Sequence, residues 1–372
     1  MNPQDHNPIC SADGPVVVTG GAGFIGSNLV AEILRREPGR HVIVIDDFRS
    51  SSSASITDAC RRADIGPFTG TLIPKSTHEI KWSSFFKRLG PAAVFHLAAI
   101  TDTTVADEQL MIEVNTGGFR ELLHQSHRNQ TPLVYASSAA TYGSPPAAED
   151  RRPFPTREAG FPNNVYGLSK WLMENEHRRY AQTVTGRTAE GWEHARIPPA
   201  SVDGHAPHAV GLRYFNVFGP GESRKQHMAS LAHQLAHQML NGRNPRIFSP
   251  GEQTRDQVPV QDVVACTIAA AAETAKPGVY NLGSGTPTTF NEVVDAVREG
   301  LGFSPSERPT EYFEMPPDIA RFYQSFTLAE MTETEHALNW IPQHQPTRAL
   351  QDYAALIKQE HEAKNLPLSE AT

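Results

Sequence analysis

The apolar residues of this chain fall in short unbroken runs separated by longer amphipathic stretches. Val16-Val-Val-Thr19, His41-Val-Ile-Val-Ile45, Ala92-Ala-Val-Phe-His-Leu97 and Pro132-Leu-Val-Tyr-Ala136 are rich in β-branched and aromatic residues without polar alternation. Such runs predict strands covered on both faces, as in a parallel sheet. Between the first two, residues 27–36 carry Leu29, Val30, Ile33 and Leu34 at helical spacing. Val210-Gly-Leu-Arg-Tyr-Phe215 and Val279-Tyr-Asn-Leu282 predict two later strands. Strands alternating with helices imply an α/β fold with a doubly wound parallel sheet and right-handed crossovers. Residues 55–90 show no clear third strand, and Asp64-Ile65 is the candidate.

The pattern loosens after about residue 175. We expect a disordered leader at 1–14, a main domain over 15–216 and a surface insertion at 183–208, which is rich in Gly, Pro, His and charge. Residues 217–355 are expected to form mainly a smaller C-terminal α/β lobe, with 261–286 returning to the main domain and 356–372 forming a tail. The chain has 372 residues and a formal charge of −8, with no strong basic patch, which argues against nucleic-acid binding. Three widely spaced cysteines, Cys10, Cys60 and Cys266, fit neither a disulfide framework nor a zinc site, so no metal is expected. The polar start lacks signal-peptide character and no apolar run reaches the ~20 residues of a membrane span. These features predict a cytoplasmic protein.

Chemistry enters at the strand ends. Gly20-Gly-Ala-Gly-Phe-Ile-Gly26 lies between the first strand and the first helix. Glycines there permit a tight turn and close backbone approach, and the helix N-terminus attracts a pyrophosphate. Gly20, Gly23 and Gly26 thus predict a Rossmann dinucleotide site. Asp46 follows the second strand, where a carboxylate binds the ribose hydroxyls of NAD, while nearby Arg49 would suit the extra phosphate of NADP or be a solvated loop charge. In Asn163-Asn-Val-Tyr-Gly-Leu-Ser-Lys170, Tyr166 and Lys170 are four apart and share a helix face. A cation beside a phenol favours the phenolate, so Tyr166 is expected to act as a base below its ordinary pKa of ~10. Ser137-Ser-Ala-Ala-Thr-Tyr-Gly143 follows another strand, and its serine can hydrogen-bond the reacting oxygen. Ser138, Tyr166 and Lys170 together suit alcohol–carbonyl redox chemistry with a nicotinamide.

The segments Thr19–Gly26, His96-Leu-Ala-Ala99 and Arg213-Tyr-Phe-Asn-Val-Phe-Gly-Pro220, with Ser138, Tyr166 and Lys170, resemble extended short-chain dehydrogenases/reductases acting on nucleotide sugars. The likeness runs from about 15 to 355. Tyr135–Gly143, Asn164–Lys170, the run Arg213 to Ser230 and Tyr323-Gln-Ser-Phe-Thr327 narrow it to the ADP-L-glycero-D-manno-heptose 6-epimerases. That resemblance implies a catalytic Ser138, Tyr166 and Lys170, with Lys170 also holding the nicotinamide ribose, and makes Lys225 a second acid/base. It implies transient oxidation at C6″ and re-reduction on the other face, with a tightly bound NAD or NADP regenerated in each turnover. It further implies cofactor contacts from Phe24, Ile25, Asp46, Asp47, Ala98, Ala99, Asn115 and Val217, and substrate contacts from Asn216, Phe248, Arg255 and Tyr323. A guanidinium at 255 suits a pyrophosphate. A homo-oligomer is expected.

Some positions depart from that pattern. His227 and Gln234 stand where the heptose epimerases have Ser and His, and both are expected to line the sugar pocket. Ser53 replaces a lysine and Asp47 an asparagine, which leans toward NAD; Gln257-Val-Pro-Val260 replaces an aromatic-rich strand. A UDP-hexose 4-epimerase would share the triad without needing Lys225. A 4,6-dehydratase would carry Asp-Glu where Ala139-Ala140 stands. A non-catalytic NAD(P)-binding protein would not need the intact triad. His233 and His237, four apart, are read as surface or interface residues, and His96 as a packed residue rather than a base.

Overall fold

The structure is a computed structural model; it describes residue 9 and residues 12–102, 107–185, 208–316 and 323–365, except the side chains of 226, 364 and 365. The chain opens with β1 (Val16–Thr19), α1 (Phe24–Arg36), β2 (Val42–Ile45), α2 (Ser53–Arg62) and β3 (Thr71–Ile73). It continues through α3 (Trp82–Leu89), β4 (Ala93–His96), α4 (Glu108–Thr116), α5 (Phe119–Arg128) and β5 (Leu133–Ser138). Next come α6 (Pro146–Glu149), α7 (Val165–Thr185), β6 (Ala209–Tyr214) and β7 (Asn216–Phe218). The remainder holds α8 (Leu231–Leu240), β8 (Arg246–Phe248), β9 (Thr254–Pro259), α9 (Val260–Ala269) and β10 (Gly278–Leu282). It ends with β11 (Pro287–Thr289), α10 (Phe290–Leu301), β12 (Glu311–Phe313), α11 (Thr332–Leu338) and α12 (Pro346–Asn365).

The central sheet has seven parallel strands in the order β10-β6-β5-β4-β1-β2-β3. The apolar runs explain it. Val16, Val18, Val42, Val44 and Phe95 point to one face and pack with α1 and α9. Val17, Ile43, Ile45 and Val94 point to the other and pack with Trp82, Phe85, Phe119 and Leu122 of α3 and α5. Strict alternation between two cores requires apolar residues at every position. Each fully buried Val or Ile contributes roughly 1.5–3 kcal/mol. The order reverses between β1 and β4, where ligands bind in such sheets.

The smaller lobe joins β7, β9 and β11 in one sheet and pairs β8 with β12. Leu235, Met239, Val293, Val297, Leu350 and Ile357 form its core. The strand β10 joins the main sheet, and α9 packs on α1.

Three expectations are corrected. The third strand is Thr71–Ile73, not Asp64-Ile65; it is three residues long, mostly exposed and held by pairing with β2, so no apolar run announces it. Asp64 instead sits at positive φ in the turn after α2. Part of the leader is docked: Ile9 is buried and its amide donates to Glu37, while Arg40 donates to the carbonyls of Ala12 and Gly14. The tail begins later than 356, because α12 runs to Asn365 and buries Ile357 in the lobe core. Residues 183–185 of the expected insertion complete α7, and 186–207 lie outside the described residues.

Candidate active site

The first turn after β1 is built by missing side chains. Gly20 has φ +67°, and a Cβ on it would lie 2.7 Å from the Ala98 amide nitrogen. A Cβ on Gly26 would lie 2.1 Å from the Gly20 carbonyl oxygen. Both positions therefore exclude any larger residue, and the turn presses against the end of β4. The helix α1 then starts at Phe24 with no side-chain cap and no acid in its first turn. Its free amides leave the positive end of the helix open to an anion. Asp46 is buried and accepts hydrogen bonds from the Ala22 amide (2.9 Å), the Phe48 amide (2.9 Å) and the Ser51 hydroxyl (2.9 Å). That network fixes the carboxylate beside the glycine turn. Arg49 pairs with Asp47 at 3.1 Å. These residues fit a dinucleotide.

Behind the turn, Thr19 Oγ1 lies 3.0 Å from His96 Nδ1 and accepts from the Ala98 amide at 3.2 Å. Ala99 follows in the same strand-end segment. Burial first, and then the nearby Lys170 charge, pull His96 down to about 3, so its ring is neutral and does not serve as a base near pH 7. Asn115 is buried. Its oxygen accepts from the Ile100 amide (2.7 Å) and its amide group donates to the Ile100 carbonyl (3.0 Å) and Ser169 Oγ (3.0 Å). It thereby ties the loop after β4 to α7.

The strand β5 ends at Ser138, whose hydroxyl accepts from the Ala140 amide at 3.1 Å and hydrogen-bonds the Tyr166 phenol. Tyr166 and Lys170 stand one turn apart on α7, with Lys170 Nζ 5.9 Å from the Tyr166 ring centre. Asn164 starts the helix by accepting from the Gly167 amide at 2.8 Å. Gly167 lets α7 approach the Ser138 turn, since a Cβ there would lie 2.5 Å from the Ala140 carbonyl oxygen. Lys170 is buried and donates to the Ala136 carbonyl at 2.9 Å; burial brings it down to about 8.

The phenol corrects an expectation. Burial pushes Tyr166 above its usual range, and the Ser138 hydrogen bond offsets only part of that rise. Lys170 stands 5.9 Å from the ring centre with its hydrogen bond donated to a carbonyl, and desolvation still sets the direction of the shift.

Sequence reasoning missed what holds α7 in place. Glu174, fully buried, accepts from Ser137 Oγ (2.5 Å), Arg213 Nε (2.8 Å) and Nη2 (2.7 Å), and Arg178 (3.0 Å). Burial raises its pKa, but Arg213 and Arg178 outweigh that and keep it below the ordinary range. Arg213 also donates to the Tyr142 hydroxyl and the Thr156 carbonyl, and Tyr142 donates to Asn281. The network joins α7 to β5, β6 and β10. Two signals were available: Glu174 is four residues past Lys170, and Arg213 is a lone charge in an apolar run.

The remaining candidates stand on the lobe side. Lys225 lies in a short 3-10 turn, Glu222–Met228, with Nζ 5.5 Å from the centre of the Phe24 ring, beside Ile25 at the start of α1. Burial lowers its pKa and Glu222 partly restores it. Among the described residues no group hydrogen-bonds its Nζ. His227 is exposed, with Nε2 3.8 Å from Asp102. Gln234 donates to the His227 and Ala229 carbonyls at 3.2 and 2.8 Å, closing the same turn onto α8. Val217 pairs with Val258, and exposed Asn216 lies 3.4 Å from Thr327 Oγ1. Arg255 lies 4.9 Å from the Tyr323 ring centre and 5.7 Å from that of Phe290, and Phe248 packs edge-on to Tyr323. Among the described residues no carboxylate pairs with Arg255, and burial lowers its pKa. Arg255 Nη1 donates to the Thr254 carbonyl at 3.0 Å. Among the described residues no cluster could hold a metal ion, and no helix is long and apolar enough to cross a membrane.

Residues 16–283 match the NAD dependent epimerase/dehydratase family. This chain belongs to that family. One family relative, an ADP-L-glycero-D-manno-heptose-6-epimerase of Alkalilimnicola ehrlichii, is 34% identical over 330 residues, 87% of this chain and 91% of its own length. The crystal structure of the Helicobacter pylori ADP-L-glycero-D-manno-heptose-6-epimerase matches with a TM-score of 0.74 at 28% identity, covering 96% of this chain and 98% of the other. The UDP-N-acetylglucosamine 4-epimerase of Methanobrevibacter ruminantium, in complex with UDP-N-acetylmuramic acid, matches in fold with a TM-score of 0.74 at 24% identity, over 93% and 99% of the chains. The family's extended Rossmann fold and its nicotinamide dinucleotide chemistry accord with the glycine turn and with Ser138, Tyr166 and Lys170.

Proposed function

We propose that this protein inverts C6″ of ADP-glycero-manno-heptose by transient oxidation and re-reduction. The observation that carries this reading is Lys225. It is a partly desolvated amine with no hydrogen-bonding partner among the described residues, on the turn facing the start of α1. An epimerase that re-reduces the opposite face needs a second proton donor, and Lys225 supplies one distinct from Tyr166. The 34% identity to a heptose epimerase over 87% of the chain supports the sugar.

A bound nicotinamide would supply hydride transfer from and back to the same sugar carbon. Ser138 hydrogen-bonds the reacting oxygen and Tyr166 takes the hydroxyl proton. Lys170 stands one turn away on the same helix, and a bound oxidised cofactor would add to the positive charge that favours the Tyr166 phenolate. Lys225 donates the proton at re-reduction. Arg255, with Phe248 and Tyr323, binds the substrate pyrophosphate and neighbouring groups, and His227, Gln234 and Asn216 border the sugar. Gly20, Gly23, Gly26, Asp46, Ala98 and Val217 hold the cofactor, while Asn115 shapes its site through Ile100 and Ser169. We propose NAD over NADP, since the Arg49 charge is answered by Asp47. The exposed Leu110 on α4 and Leu168 and Leu172 on α7 support a homo-oligomer.

A second reading, a UDP-hexose 4-epimerase, shares the triad. Incubating the protein with ADP-glycero-manno-heptose and following C6″ by NMR separates the two. Interconversion at C6″ is expected. Turnover of UDP-glucose or UDP-galactose without it would sink the heptose reading.

A further inference from the structure

The loop that carries Lys225 is closed by a group that none of the catalytic roles above uses. Glu222 is completely buried, at 0% exposure, although it stands at the start of a seven-residue 3-10 turn. Its carboxylate accepts from the Gly219 amide (3.2 Å), the Ser230 amide (2.6 Å) and the Ser230 hydroxyl (2.7 Å). Gly219 ends the segment leaving β7, and Ser230 caps α8 by accepting from the His233 amide. One side chain therefore bonds both ends of the 219–230 loop. The Tyr353 hydroxyl of α12, 2.9 Å from His233 Nδ1, faces the same carboxylate. Charge-assisted hydrogen bonds of this kind are about twice as strong as neutral ones, and stranding a buried carboxylate without them is strongly unfavourable.

We propose that Glu222 is the positioning residue of the Lys225 loop: it pins the loop at both ends against α8 and α12 and sets a buried carboxylate three residues from Lys225 in the same turn. This rests on the acid/base reading of Lys225. Glu222 stands three residues from Lys225 in the same turn, and its carboxylate partly offsets the lowering of Lys225 by burial. From α1, the Phe24 ring faces Lys225 and Asn28 donates to the Pro220 carbonyl at 2.9 Å. Other charges stand at this corner: Arg62 of α2 lies beside Gly221, with a buried Nη2 that has no hydrogen-bond partner among the described residues, Arg224 pairs with Asp58 at 3.5 Å, and His227 lies 3.8 Å from Asp102.

The test reads Lys225 itself, independent of any sugar. The pH dependence of Lys225 acylation, followed by mass spectrometry in the NAD-loaded protein, gives its titration midpoint. Glu222→Gln should lower that midpoint by about one pH unit, the size expected for loss of a nearby opposite charge. Glu222→Asp should restore part of it. An unchanged midpoint in folded Glu222→Gln overturns the proposal. If the heptose reading alone is wrong, this shift persists while C6″ interconversion is absent. Should Glu222→Gln fail to fold, amide hydrogen exchange in the native protein decides. The Gly219 and Ser230 amides should exchange as slowly as the buried turns of α8, and fast exchange at both overturns the proposal.

Discussion

The two lysines proposed to act on the substrate sit in regions built on opposite principles. Lys170 stands on a long helix, donates to a strand carbonyl, and is backed one turn away by the Glu174–Arg213 network. Lys225 stands on a short turn, has no hydrogen bond on its Nζ among the described residues, and touches an aromatic ring. Both are lowered by burial. A lysine locked to a carbonyl is suited to hold charge and position. A lysine without a bond of its own is suited to give its proton away. On the proposed reading the contrast separates a scaffold cation from an acid, although either residue alone reads as a lysine lowered by burial.

The sharpest way to break that contrast is to remove each in turn. Lys170→Ala should lower epimerisation on the order of 10³-fold and also release the cofactor, seen as loss of co-purifying nicotinamide absorbance. Lys225→Ala should lower turnover by roughly 10²-fold while the cofactor remains bound. Equal cofactor loss in both would erase the distinction, and normal turnover in Lys225→Ala would remove the two-base mechanism. A smaller effect is expected on the lobe side. Arg255→Ala deletes charged hydrogen bonds to the substrate, about 1.5–3 kcal/mol, and should raise KM roughly 10- to 100-fold with kcat little changed. A fall in kcat with unchanged KM would place Arg255 in the chemistry instead.

The smallest effect is a pH signature of Lys170. Its folded pKa of about 8 lies below the ~10.4 of an unfolded lysine, so its charge is lost as pH rises through about 8. Activity that depends on that charge should fall over the same range. Stability should move the other way: the unfolded chain binds this proton more tightly, so the destabilisation from burying a charged Lys170 is relieved between about pH 8 and 10.4. Rate profiles and melting curves from pH 7 to 9 check both. Parallel loss of rate and melting temperature would mean that the alkaline limb reports unfolding.

Much of the fold was legible because it depends on local pattern. Buried parallel strands need apolar residues on both faces, so β1, β2, β4, β5, β6 and β10 announced themselves. The short edge strand β3 did not, because its hydrogen bonds come from β2 and its side chains face water. The glycine turn was legible because steric exclusion of a Cβ at Gly20 and Gly26 leaves no other residue. The Tyr166–Lys170 pair was legible from helical spacing, but the direction of the phenol's shift was not. Spacing shows which groups are neighbours; it does not show how much water they lose.

By itself, then, the sequence determined the sheet, the dinucleotide turn and the order of Ser138, Tyr166 and Lys170, all set by period, sterics and nearest neighbours. Only the tertiary structure decided what each charge meets. Among the described residues, Arg213 found Glu174 across 39 residues, while Arg255 met aromatic rings and no carboxylate. Glu222 was buried with amides at both ends of its loop, and among the described residues nothing bonds the Lys225 amine of the same turn. Electrostatic free energy depends on distance and on lost hydration, and those quantities exist only once the chain has folded.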